Sequence, residues 1–145
     1  MTTNDNWFSN FGESDTPFVY DGISYTTPEH FYQAMKWGRD HPNFQEERRK
    51  IAALPTALEA KKASKMIPIR ADWNNIRVRI MCMALEHKFA QGTTWHAKLM
   101  ATGNKHLCEY NYWHDNFWGC CTCDRCKMIS PKVNMLGELL MWIRG

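Results

Sequence analysis

No apolar run in this chain is long enough to cross a membrane. The longest, Ile80 to Leu85, has six residues, against the ~20 that a spanning helix needs. The opening residues, Met1-Thr2-Thr3-Asn4-Asp5-Asn6, contain neither a basic segment nor an apolar stretch, so no secretory signal is read there. The expectation is a cytoplasmic protein with no membrane partner. Four familiar motifs are also missing: H-E-x-x-H, a Walker loop, G-x-G-x-x-G and G-x-S-x-G. Their absence argues against the common zinc proteases, nucleotide triphosphatases, Rossmann dehydrogenases and serine hydrolases. There is no repeat and no low-complexity linker, and the six prolines are scattered. Residues 1–145 therefore read as a single domain, folded from about residue 7 to 144.

What is present is globular. Of 145 residues, 44% are hydrophobic and 23% charged, close to the globular average. This excludes a disordered chain, a collagen and a coiled coil. The net charge is +3 but unevenly spread: residues 1–47 carry two basic residues against eight acids, and residues 48–145 carry sixteen against seven. Either the basic residues form solvated helix faces, or they make a surface for a phosphate-bearing ligand or nucleic acid. Seven tryptophans are present, and Trp7, Trp73 and Trp118 stand next to polar turn residues. Aromatics at element ends can form stacking walls for a flat ligand.

Phe18 to Tyr25 is two β-prone runs flanking Asp21-Gly22, a strong hairpin signal because a type I′ turn needs positive φ at both central residues. A helix follows, capped by Thr26 or Thr27, opened by Pro28, passing through Glu29, Gln33 and Lys36 and ended by Gly38. Further helices are expected over Asn43–Leu54 and over Thr56–Met66, the latter with a Thr56/Glu59 capping box. Asp72 is the expected N-cap of the longest helix, Trp73 to Gln91. Its apolar residues form two stripes, the mark of a central helix. Thr94–Thr102 is a shorter helix ended by Gly103, residues 105–110 a strand, and 111–132 irregular. Asn134 caps a last helix, Met135–Arg144. The fold class is mainly α (α+β): about six helices in one domain with a small β-hairpin and short strands.

Three constellations carry possible chemistry. Glu29, Gln33 and Lys36 stand at i, i+4 and i+7 on one helical stripe. They can line a cleft. Alternatively, with Thr26 as N-cap, Glu29 completes a capping box and Lys36 is a surface lysine. Asp115 precedes Trp118-Gly119 in the irregular stretch. It is an acid/base candidate or simply the anchor of an Asx-turn. Cys120, Cys121, Cys123 and Cys126 place four thiols within seven residues. A metal site with His114 or Cys108 as extra ligand is one reading, a reduced loop with one or two buried thiols a second, and an oxidisable redox switch a third. With no second ligand pair at a diagnostic spacing, the expectation is a protein active without metal. The six histidines form no motif, and His30 and His87 read as packing or surface residues.

Taken in order, several segments resemble one family. They are Phe8-Ser9-Asn10-Phe11, Tyr25 to Lys36, Asp72-Trp73 with Arg77, Met81, Ala84-Leu85 and Lys88-Phe89. Leu99, Thr102-Gly103, Leu107, Glu109, Asp115, Trp118-Gly119 and Asn134 to Met141 follow. Together they resemble the NADAR, or YbiA-like, family over nearly the whole chain. The resemblance implies a mainly helical fold and an N-glycosidase that cleaves a ribose C–N bond. The function it points to first is removal of ADP-ribose from a modified base such as guanine in DNA. The alternatives are hydrolysis of early riboflavin-pathway intermediates and a non-catalytic ADP-ribose-binding module. The ligand is then ADP-ribose, a ribosyl-amine or ADP-ribosylated DNA. No cofactor is implied.

By the same resemblance, Glu29 is the catalytic carboxylate, with Asp115 as partner acid or water-orienter. Lys36 is a phosphate contact or a Schiff-base nucleophile. Asn10, Trp73, Trp118 and Gly119 are substrate-binding, with Arg70 and Arg77 as pyrophosphate contacts. The cysteine loop, Cys120 to Lys127, stands where many family members have a Gly-rich stretch.

Overall fold

Asp21 and Gly22 both adopt left-handed backbone, at φ 51° and 76°, as the type I′ turn requires. They join β1 (Phe18–Tyr20) to β2 (Ile23–Tyr25), an antiparallel pair with Phe18 opposite Tyr25. The structure, a computed structural model, describes residues 8–145; Trp7 lies outside the described residues.

Helix α1 (Pro28–Ala34) follows β2 after two residues, the second of them its N-cap Thr27, whose hydroxyl accepts the His30 N–H at 3.1 Å. Thr27, not Thr26, is therefore the cap, which places Glu29 at the second helical position. The helix is shorter than expected. Met35 is its C-cap, and Lys36 sits in the following turn. All seven residues of α1 are buried, because α2 (Phe44–Ala52), α3 (Ala57–Ala63) and α4 (Trp73–Lys88) all pack against it.

Helix α3 shows half of the expected capping box: Thr56 Oγ1 accepts the Glu59 N–H at 3.2 Å. A 3₁₀ turn, Ser64–Met66, continues it. Helix α4 is the longest among the described residues, with 16, and central as expected. Its most buried residues are Ile80, Met81, Ala84, Leu85 and Lys88, while Val78 and Cys82 are only half-buried. Asp72 precedes α4 but makes no capping bond; its carboxylate takes the Arg70 guanidinium instead, Nε to Oδ1 at 2.6 Å and Nη2 to Oδ2 at 3.1 Å.

After α5 (Thr94–Ala101), the expected strand over 105–110 is reduced. The pairing is β3 (Tyr110–Asn111) with β4 (Cys120–Cys121), and it is parallel. Gly119 makes that pairing possible, since a Cβ there would lie 2.3 Å from the Glu109 carbonyl oxygen. Helix α6 (Met135–Arg144) closes the fold. Asn134 is its N-cap residue, as expected, but in left-handed conformation and without a side-chain capping bond. Its amide donates to the Leu107 carbonyl at 2.9 Å and accepts the Glu109 N–H at 3.2 Å, tying α6 to the segment before β3.

Phe8, Phe31, Met81, Leu85, Phe89, Leu99, Leu107, Leu136 and Leu140 form one continuous core with Tyr25 and Trp73. Among the described residues, no helix is long and apolar enough to cross a membrane.

Candidate active site

The N-terminus of α1 opens onto a cavity of about 240 Å³ lined by residues far apart in sequence: Ser9, Asn10, Phe11, Glu29, Tyr32, Gln33, Lys61, Met81, Glu109, Trp113, Asp115 and Trp118. Glu29 is buried and doubly held. Its backbone N–H donates to the Asn10 carbonyl at 2.9 Å, and the Asn10 side-chain amide donates back to Glu29 Oε2. On the other side, Gln33 Nε2 donates to Glu29 Oε1 at 2.6 Å, one helical turn along. The capping-box alternative for Glu29 is not realised; its carboxylate serves the cavity. Burial pushes this carboxyl above its ordinary value of 4.5. The Gln33 hydrogen bond and the charges of Lys61 and Lys36 oppose the rise, and Asp115 adds to it. Gln33 Oε1 is buried with no partner among the described residues. A buried amide oxygen left so is an acceptor waiting for a donor.

Further lining residues come from the C-terminal half. Glu109 lines the cavity one residue before β3, and its carboxyl is pushed up to about 7, by burial first and then by the charges of Asp115 and Glu29. Asp115 reaches the same cavity. Its Oδ1 also accepts the N–H groups of Phe117 at 3.1 Å and Trp118 at 2.8 Å. Asp115 therefore anchors an Asx-turn and also lines the cavity. Tyr32 and Trp118 form an aromatic corner, ring centroids 5.4 Å apart and nearly perpendicular. Lys61, from α3, reaches in between Phe11 and Trp113, with Nζ 5.8 and 5.6 Å from their ring centroids.

Of the sequence-derived candidates, the fold thus gathers Asn10, Glu29, Asp115 and Trp118 around one cavity. It places the others elsewhere. Trp73 is a core residue, packed behind Tyr32 at 4.9 Å between ring centroids, and does not line the cavity. Lys36 lies on the same far side, its Nζ 5.5 Å from the Tyr32 ring centroid and 5.8 Å from that of Trp73; burial pulls its ammonium below the ordinary 10.5, and Glu29 opposes this. Arg70 is paired with Asp72 on another face, next to Gly38 and Asp40. Arg77 covers the Phe117 ring at 3.8 Å. Gly119 serves the close β3–β4 approach rather than the cavity.

Sequence reasoning missed Lys61, Tyr32, Gln33's free oxygen, Trp113 and Glu109 as site residues. Glu109 and Tyr32 did lie within the family-like segments. Lys61 stands in the run Lys61-Lys62 on an otherwise ordinary amphipathic helix, and no local signal separates it from its neighbour.

Lys88 supports the site from α4. It is fully buried, its Nζ donates to the Ser9 carbonyl at 2.8 Å, and burial lowers its ammonium to about 7. That bond anchors the turn carrying Asn10. His30, as expected, is a packing residue: Nδ1 meets Thr27 Oγ1 at 2.7 Å and Nε2 the Leu54 carbonyl at 2.9 Å. Outside the cavity, His114, Cys121, Cys123 and Cys126 converge into a cluster of metal-ligating groups.

Comparisons with known proteins identify the family of the chain. The NADAR domain model matches residues 2–145. N-glycosidase YbiA of Escherichia coli is 34% identical over 137 residues, which are 94% of this chain and 78% of YbiA. An N-glycosidase of Nostoc punctiforme is 30% identical over 94% of this chain and 82% of its own length. A riboflavin biosynthesis protein of Vibrio vulnificus is 34% identical over 85% of this chain, but only 31% of that longer protein. The solution structure of Escherichia coli YbiA superposes with a TM-score of 0.77 at 28% identity, covering 99% of this chain and 82% of that one. The family match spans nearly every residue, and the fold matches along with it: the chain belongs to the NADAR domain family.

Proposed function

We propose that the cavity at the N-terminus of α1 hydrolyses the C–N bond between a ribose and an amine or base. The enzyme is a hydrolase acting on N-glycosyl bonds, the activity named for its relatives. The observation that carries this reading is a pair of carboxyl groups, Glu29 and Glu109, lining one cavity and held in different ways. Burial pushes both carboxyls up, Glu109 to about 7, where it is half-protonated at neutral pH. Glu29 differs in accepting two side-chain amide N–H bonds, which oppose its rise and favour its anion. On that difference in hydrogen bonding Glu29 is assigned the part of base and Glu109 that of acid.

Cleavage builds positive charge at the anomeric carbon, as in O-glycoside hydrolysis. A fixed anion beside that carbon stabilises the transition state more than the ground state. Glu29 has this role and activates the attacking water. Glu109 donates a proton to the departing nitrogen. Asp115, with Oδ1 tied to backbone N–H groups, orients water or a ribose hydroxyl with its other oxygen. Gln33 Oε1 accepts a hydrogen bond from the ribose. Trp113 and Trp118 flank the base, and Lys36 supports the Glu29 anion from behind Tyr32.

The cavity's dimensions bear on the substrate. At about 240 Å³, with Lys61 as its lining cation, it fits a ribosylamine with a single phosphate. Early riboflavin-pathway intermediates belong to this class. Arg70 and Arg77, the expected pyrophosphate contacts, are engaged elsewhere. The ADP-ribosyl reading retains one supporting observation: Lys62 and Lys65 lie exposed just beyond Lys61, a basic rim onto which a larger phosphate-rich substrate can extend. The test is mass spectrometry of products from ribosylamino-pyrimidine phosphates, ADP-ribosylated guanine DNA and NAD. Release of the amine from the first with the others untouched supports the smaller substrate. Release of ADP-ribose from DNA instead establishes the larger one, and no cleavage of any removes the enzymatic reading.

A further inference from the structure

We propose that His114, Cys121, Cys123 and Cys126 bind one Zn²⁺ ion as a closed structural site. From sequence, this loop was expected to function without metal, because C-x-C-x-x-C lacks a second ligand pair at a diagnostic spacing. The fold supplies what the spacing does not show. β3 and the turn after it carry His114 back over the cysteines, and the four ligand atoms all lie within 4.8 Å of one another. His114 Nδ1 is 3.3 Å from Cys123 Sγ, 3.4 Å from Cys126 Sγ and 3.9 Å from Cys121 Sγ. A tetrahedral zinc with Zn–S of ~2.3 Å and Zn–N of ~2.0 Å requires ligand–ligand edges of roughly 3.5–3.8 Å. The cluster already has nearly that size and composition. Cys108 and Cys120, the other candidates for a fourth ligand, face each other instead, Sγ to Sγ at 2.6 Å.

The backbone around the cluster is built to hold it. His114 sits at φ 69°, a left-handed conformation uncommon for a residue with a side chain. Its N–H points at Cys121 Sγ at 3.3 Å. Cys123 turns tightly into Cys126: its carbonyl accepts the N–H groups of Cys126 at 3.1 Å and Lys127 at 2.9 Å. Three thiolates and one neutral imidazole around Zn²⁺ leave a net charge of −1. Lys132 Nζ, bonded to the Cys121 carbonyl, brings a compensating cation. Soft N/S donors in a tetrahedral set select zinc over magnesium or calcium. Four protein ligands leave no open position, so the ion orders the chain and does not activate water.

The site explains how an irregular segment keeps its shape. Residues 112–119 and 122–134 contain no helix or strand, yet Trp113 and Asp115, the neighbours of His114 in sequence, form part of the cavity wall. A bound ion fixes that wall from behind.

The test is elemental analysis of untagged protein purified without chelator. One zinc per chain is expected, with the Cys123→Ser, His114→Ala double variant losing it and Cys82→Ser, outside the cluster, keeping it. Should the double variant fail to fold, the wild-type chain decides. Stripping with a strong chelator should lower Tm, and Co²⁺ added to the stripped protein should give thiolate-to-cobalt charge-transfer and tetrahedral d–d bands. Zinc at the level of the buffer blank with freely titratable thiols would overturn the proposal. So would zinc retained by a folded double variant, or a stripped protein with unchanged Tm and no cobalt spectrum. None of these readouts depends on which glycosyl bond the enzyme cleaves.

Discussion

Glu109 and Glu29 share one cavity but differ in what surrounds each carboxyl. A Glu109 carboxyl pushed up to about 7 is half-protonated at neutral pH, so a step needing its proton weakens as pH rises. The expected profile is kcat/KM falling through about pH 7 on the alkaline side, since kcat/KM reports the free enzyme's ionisations. Glu109→Gln should lower kcat/KM and remove that limb; a limb that persists in the variant assigns the proton to another group. The tryptophans divide in the same way. Trp73 is buried behind Tyr32, and Trp73→Ala should cost ~3–5 kcal/mol of stability in urea denaturation. Trp118 lines the cavity. Its alanine variant should weaken ligand binding by ~1–3 kcal/mol, the range for a base stacked on an aromatic ring, as calorimetry would measure.

Among the elements, the short parallel pair β3–β4 depends on a missing side chain. A Cβ at Gly119 would meet the Glu109 carbonyl oxygen at 2.3 Å and Asn111 Nδ2 at 2.8 Å. Backbone cannot yield as a flexible side chain does. Gly119→Ala should therefore destabilise by ~1–3 kcal/mol, as overpacking does, and displace Glu109, so Tm and activity should fall together. Helix α4 carries a second test in Lys88. Its folded-state value of about 7 lies below the ordinary 10.5, so between these values the unfolded chain binds more protons than the folded one. Stability from this group therefore rises with pH across that window and is flat below it. Lys88→Met should flatten that slope in urea midpoints measured from neutral to alkaline pH.

Most elements were legible in the sequence because their signals are local. Asp21-Gly22 announced a hairpin, Thr27-Pro28 and Thr56 opened helices, and the two apolar stripes of α4 marked it as central. The capping bonds expected of Asp72 and Asn134 do not form because tertiary partners, Arg70 for one and the Leu107 and Glu109 backbone for the other, outcompete the helix N–H groups.

At the scale of the whole molecule, the site joins five stretches: the turn around Asn10, α1, Lys61 on α3, Met81 on α4, and residues 109–118. The helical spacing of Glu29 and Gln33 was readable, but which distant residues would face them was not. Burial and packing, not spacing, decide that Glu109 lines the same cavity as Glu29 while Arg70 and Arg77 are engaged elsewhere. The cysteine cluster illustrates the same limit, since His114 reaches it only through the path of the chain after β3. The two parts of the charge asymmetry meet in the cavity: Glu29 comes from the N-terminal, acidic part, and Lys61, Glu109 and Asp115 from the basic part.

The most direct measurement compares the native enzyme with Glu29→Gln in amine release from a ribosylamine phosphate, with thermal melts run alongside. In the proposed mechanism Glu29 carries the charge that stabilises the transition state. Expected is a loss of turnover by orders of magnitude with a cooperative melt retained. A folded Glu29→Gln enzyme that keeps most of its turnover would contradict the assignment of this cavity as the glycosidase site.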